Sequence, residues 1–204
     1  MKKVEFLLCL AIALMLSGNA LAQNAGDNSS YFVTYYSNAN TAGAPDGTLR
    51  LVNDGEASTT SSDGAPNGNL WASIYVFDDS QEMQECCSCF VSANGLLSES
   101  VNVELTASSV SGRVPTRGVI EVVSSSTNDP TKNVLKAGLR GWMTHIEATS
   151  NIPVSGPFYG IQSPMADSKL VPAEKSALEL VCDFIVEIGA GRGVCACTPE
   201  DQDF

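Results

Sequence analysis

Apolar and polar positions along this chain fall into short runs with a period near two, separated by stretches rich in Asn, Gly, Ser and Pro. Tyr31–Tyr36 is aromatic and β-branched, and the turn-rich stretch 38–47 closes it, so it reads as a strand. In Thr48–Asn53, Leu49 and Leu51 share a face, and Asp54-Gly55 marks a turn. The stretch 58–69 has loop composition. Residues 70–77 are apolar at almost every position, the pattern of a central strand covered on both faces. Residues 99–106 alternate, which predicts a strand with Val101, Val103 and Leu105 inward and Asn102 and Glu104 outward. A further short strand follows at 119–123. Strands at intervals of roughly 15–25 residues, with polar turns between them, point to a mainly β fold. The expected form is an antiparallel β-sandwich, Ig-like or jelly-roll-like, rather than a set of βαβ units.

Two later segments carry helical spacing. In 133–149, Leu135, Leu139, Trp142, Met143 and Ile146 recur at three and four, but Gly138 and Gly141 weaken a helix by roughly 1 kcal/mol each. Read as a strand, the segment puts Leu139, Gly141, Met143 and His145 on one face, and that reading is preferred. At the C-terminal end, Leu178, Val181, Cys182, Ile185 and Ile188 form an apolar stripe, with Lys175, Glu179, Asp183 and Glu187 opposite. Pro172 suits a first helical turn, and Gly189 is placed to end the helix in a left-handed conformation. A helix is therefore expected over about 173–188.

The first residues change the picture of the compartment. Lys2 and Lys3 precede an apolar run at 6–16, a break at Ser17-Gly18-Asn19, and a small-x-small pattern at Ala20-Leu21-Ala22. That is a signal peptide over 1–22, too short to span a bilayer. Residues 23–30 read as a flexible leader, and 31–204 as a single mainly β domain. Cleavage removes Lys2, Lys3 and Glu5 and leaves 22 acidic and 9 basic side chains from the original 23 and 11, a charge of −13. Such a surface repels nucleic acid and anionic lipid. The expected location is secreted: extracellular, periplasmic or cell surface, not membrane-inserted after cleavage.

Six cysteines then remain, in two clusters: Cys86, Cys87 and Cys89, and Cys182, Cys195 and Cys197. An even count in an exported chain reads as disulfides. Adjacent and Cys-x-Cys pairs close strained rings, so linkages are expected between the clusters, in any of several pairings. If the first cluster is extended, Cys87 and Cys89 point one way and Cys86 the other. The simplest picture staples the helix and the C-terminal tail onto that strand. A thiolate site for zinc or a cluster is the alternative, disfavoured by the oxidising compartment and by the absence of Cys-x₂-Cys. No metal and no cofactor is expected.

Candidate chemistry beyond the cysteines is sparse. Asp78, Asp79, Glu82 and Glu85 put four carboxylates in eight residues, a possible cation site or a glycosidase-type acid and base pair. A solvated turn is the plainer reading. The single histidine, His145, could act as a base but reads better as structural. No Gly-x-Ser-x-Gly elbow is present. Trp71, Tyr75 and Phe77 suit either a carbohydrate face or core packing. No catalytic residue is assigned.

The run Ile74-Tyr-Val-Phe-Asp78, the segment Gln81-Glu-Met-Gln-Glu-Cys86-Cys-Ser-Cys89, the stretch Leu139-Arg-Gly-Trp-Met-Thr-His145 and the closing Gly-x-Cys-x-Cys resemble a group of uncharacterised secreted proteins from acidobacteria. The resemblance covers most of the mature chain and implies no activity or functional residues. This chain has Val171 where a Ser or Thr cap would precede Pro172. The expected role is a non-catalytic cell-surface or extracellular structural or binding protein, with an unknown partner outside the cell and self-association possible. One alternative is a small extracellular hydrolase using the carboxylates at 78–85. Another is a surface-filament subunit that donates the Tyr31–Tyr36 strand to a neighbour.

Overall fold

A computed structural model describes residues 29–55, 68–149 and 157–197. The expected signal peptide, most of the leader and most of the 58–69 loop lie outside these residues. Among the described residues are nine strands: β1 Tyr31–Tyr36, β2 Thr48–Asn53, β3 Leu70–Asp78, β4 Met83–Val91, β5 Leu96–Ser100, β6 Gly118–Ser125, β7 Leu139–Ala148, β8 Phe158–Pro164 and β9 Ala166–Asp167. One α-helix, α1 Pro172–Ile188, follows them.

The strands form two antiparallel sheets, ordered β4-β3-β6-β1-β9 and β5-β2-β7-β8. Alternation sorts the side chains between them. Leu70, Ala72, Ile74 and Val76 of β3 join Leu49 and Leu51 of β2 and Leu139 and Met143 of β7 in one buried cluster shared by both sheets. The other face of β3 carries Tyr75, which joins Tyr31, Val123 and the α1 residues Leu178, Cys182 and Ile185 in a second cluster. That double burial is why 70–77 is apolar at almost every position. The aromatic strand β1 is hydrogen-bonded to β6 along its length and to β9 at Phe32 and Val33, within its own sheet.

Three expectations are corrected. Residues 99–106 are not one strand: β5 ends at Ser100, and Val101–Leu105 forms a π-helical turn. The Val103 N–H donates to the Ser100 hydroxyl at 2.9 Å, and the Thr106 hydroxyl donates to the Val101 carbonyl at 2.6 Å. Val101 and Leu105 are buried while Val103 is 69% exposed. Apolar residues two apart along a strand are also four apart end to end, so the alternation fitted both geometries. Second, Gly189 ends α1 in a right-handed conformation, φ −67°, and the positive φ falls on Ala190 and Gly191 instead. At 189 glycine is needed for space, because a Cβ on Gly189 would collide with the carbonyl oxygens of Ile185 and Arg192. Third, Val181 and Ile188 do not belong to the buried face of α1; they are 40% and 57% exposed.

Gly118 is a second close approach. It lies opposite Asp78 of β3 and Tyr36 of β1, and a Cβ there would run into the Phe77 carbonyl and within 2.8 Å of the Tyr36 hydroxyl. Gly118→Ala is expected to lower stability by about 1–3 kcal/mol, because three paired strands must shift to admit one methyl group. Urea unfolding followed by circular dichroism measures it, and an unchanged midpoint would show that the strand ends yield freely.

Candidate functional site

The six cysteines form three disulfides: Cys86–Cys182, Cys87–Cys195 and Cys89–Cys197. Strand alternation sends Cys86 towards α1 and Cys87 and Cys89 into the core between the sheets. The C-terminal tail runs parallel to β4, with Val194 bridged to Cys86 and the Cys86 N–H donating to the Gly193 carbonyl at 2.9 Å. Two residues further, the Ala196 N–H donates to the Glu104 carbonyl at 3.0 Å. The tail therefore lies against the free edge of β4 on one side and the π-helical turn after β5 on the other, covering an edge that would otherwise pair with another chain.

The Sγ atoms of Cys87, Cys89 and Cys197 lie within 4.8 Å of one another, the spacing of a thiolate cluster. Each is already bonded to a second sulfur, so none is a thiolate able to hold an ion.

The four candidate carboxylates are not gathered into one site. Asp78 organises the β3–β4 turn: one oxygen accepts from the backbone N–H groups of Ser80 and Glu82 at 2.9 and 3.1 Å, the other from the Gln84 side chain at 2.8 Å. Asp79 pairs with Arg117 at 2.8 Å in an exposed contact. Glu82 is exposed on the same turn. Glu85 is wholly buried in β4, accepts from the Ser108 N–H at 2.7 Å through Oε1, and has no partner for Oε2 among the described residues. Burial pushes its carboxyl up to about 7, against the pull of the Ser108 N–H. Its parity with Cys87 and Cys89 is the signal that places it inward.

Two other acids, one buried and one half-buried, escaped the sequence reading. Glu99 in β5 is fully buried. Glu121 in β6 is raised by burial, and its contact with the Tyr31 hydroxyl pulls the other way. Glu121 sits inside the run Val119-Ile-Glu-Val-Val123, where alternation alone flags it.

His145 is buried, with Nε2 2.8 Å from the Ser163 hydroxyl and its ring stacked on Tyr35 at a centroid distance of 4.0 Å. Burial lowers its pKa, while the Tyr35 backbone and the Glu147 charge pull it up. A hydroxyl on an imidazole is the start of a nucleophile–base pair. A carboxylate orienting the imidazole would extend it, but Glu147 accepts instead from the Tyr35 hydroxyl at 3.1 Å. The contact ties β8 to β7 and Tyr35 across to the second sheet, in keeping with the structural role expected for His145. Ser163 carried no signal in the sequence because β8 was not legible as a strand.

No protein-family model, no curated protein and no solved structure matches the chain.

Proposed function

We propose that this chain is a secreted β-sandwich, of Ig-like or jelly-roll-like kind, serving outside the cell as a non-catalytic structural or binding component. The observation that carries the reading is the disulfide ladder. All six cysteines of the expected mature chain are paired, and their bonds hold the helix and the tail on one edge strand. Such a framework is stable only where thiols are oxidised. The basic and apolar segment at 1–22 supports export, and two antiparallel sheets around one shared cluster support the sandwich. The use of Asp78 to hold the turn, the pairing of Asp79 with Arg117 and the burial of Glu85 in the core favour binding over carboxylate catalysis.

The test is the intact mass of the secreted protein after alkylation without reductant, with metal analysis on the same sample. The expected result is no alkylation, no stoichiometric metal and two hydrogens missing for each of the three bonds. Alkylated thiols or bound zinc would overturn the scaffold role of the cysteines. Hydrolysis of glycans or peptides that disappears in Asp79→Asn or Glu82→Gln would replace the reading with the hydrolase alternative.

A further inference from the structure

α1 leaves large apolar side chains uncovered as well as burying others. Leu178, Cys182 and Ile185 pack on the first sheet, yet Leu180 is 71% exposed, Phe184 58% and Ile188 57%. Val181, 40% exposed, Phe184 and Ile188 follow one another at helical spacing and form a continuous stripe, with Leu180 outside it. That stripe is one wall of a groove of about 380 Å³; Phe77 and Met83 of the β3–β4 hairpin and Val110 form the others. Contiguous apolar side chains left uncovered around a groove are the pattern of an interaction site.

Charge identifies the occupant. Glu82 lines the hairpin wall, and Glu187 follows Phe184 at a spacing of three on α1, both exposed and neither ion-paired among the described residues. Lys175 and Arg117 are engaged, and Arg192 faces another hollow. Lys175 is 2.6 Å from Glu179, Arg117 is 2.8 Å from Asp79, and Arg192 lines a neighbouring hollow beside Gly112, with Arg113 on the same loop. The chain as a whole carries −12. A second copy seated by two-fold symmetry would bring the Glu187 borders of two acidic molecules together. An anionic bilayer would be repelled in the same way.

We propose that this groove receives a cationic amphipathic segment of another protein, a helix with Leu, Ile or Phe on one face and Lys or Arg along its borders. The apolar face fills the space between Phe184 and the hairpin, and the basic borders meet Glu82 and Glu187, the helix-in-groove mode of recognition. The inference rests on the reading of the chain as a binding component and names the chemistry of its partner.

The probe is a fluorescein-labelled peptide of leucine and lysine, about four helical turns long, titrated by anisotropy into the disulfide-intact mature protein. Its counterpart with Glu in place of Lys is the control. Saturable binding of the lysine peptide alone is expected, weaker at high salt. Phe184→Gln is expected to weaken it by about tenfold or more, as for a central apolar anchor. Glu187→Lys and Glu82→Lys are expected to weaken it and flatten its salt dependence. Phe184 is exposed, so its variant should keep the parent's circular dichroism and intact mass, which are checked on the same sample. Equal binding of the glutamate peptide, no binding, or binding indifferent to Phe184→Gln would overturn the proposal. A dimer in light scattering that Phe184→Gln abolishes would assign the groove to a second copy, and vesicle binding lost in that variant would assign it to lipid. The same preparation is assayed for glycan and peptide hydrolysis. Hydrolysis would remove the binding reading itself, whereas no hydrolysis and no peptide binding would remove only the groove.

Discussion

Reduction of all three disulfides is expected to unfold the domain without denaturant, while loss of any single bond leaves it folded. The reason is nesting. Each bond joins β4 to the last quarter of the chain across a separation of 96 or 108 residues. In the chain-entropy model the first such bond, closing roughly 100 residues, stabilises by about 4.7 kcal/mol. Once it is closed, the others constrain only short circuits. With Cys87–Cys195 intact, Cys86–Cys182 closes the short run between Cys182 and Cys195, and a loop of about 15 residues is worth about 3 kcal/mol. Cys89–Cys197 closes a smaller circuit still, worth about 2 kcal/mol. Together the three amount to about 10 kcal/mol, comparable to the whole stability of an ordinary domain.

The paired variants Cys86→Ala/Cys182→Ala and Cys89→Ala/Cys197→Ala are therefore expected to lose about 3 and 2 kcal/mol in urea unfolding, and the fully reduced protein to lose its sheet signal. Single-bond losses near 5 kcal/mol would mean that the bonds act independently, each by local packing. A reduced protein that stays folded would mean that the two apolar clusters suffice alone.

What the sequence made legible follows from side-chain periodicity and composition. Alternation made β2 and β7 legible because each buries one face, whereas β1 showed in its aromatic and β-branched composition and β3 in an apolar run covered on both faces. The opposed directions of Cys86 and of Cys87 with Cys89 were legible from strand alternation too, although the pairings were not: parity gives a side, not a partner. The edge strand β8 left no such trace. Most of its residues are exposed, so nothing selects an alternating pattern, and Gly160 with a terminal Pro164 further blurs it. The carboxylates misled by proximity in sequence. Asp79 and Glu85 are close along the chain, but the turn and the bulge between Val76 and Phe77 separate exposed turn residues from a buried strand position. The second stripe on α1 was hidden by its own composition, since a hydrophobic residue reads the same whether it faces a core or a partner.

Replacing Glu85 by Gln is expected to raise stability at pH 8 by about 2 kcal/mol and to change it little at pH 4. Glu85 keeps its proton up to about 7, against an ordinary value of 4.5, because it is buried with only one oxygen hydrogen-bonded. Below 4.5 both folded and unfolded chains hold that proton, and the group contributes no pH dependence. Between 4.5 and about 7 the unfolded chain has released it while the folded chain has not, so stability falls as pH rises through this window. Above it the full cost of a buried anion is present, and Gln, which still accepts from the Ser108 N–H, avoids that cost. Its amide must bury N–H donors where Oε2 has no partner, which offsets part of the gain. Glu121, also raised by burial, acts with the same sign. His145 opposes them: its pKa is lowered, so the unfolded chain takes up a proton that the folded chain refuses as pH falls towards 6 and below. Removing Glu85 therefore leaves the His145 slope less opposed and moves the stability optimum towards higher pH. Urea unfolding of both proteins across the pH range measures the difference, and a gap independent of pH would show that Glu85 titrates alike in the folded and unfolded chains.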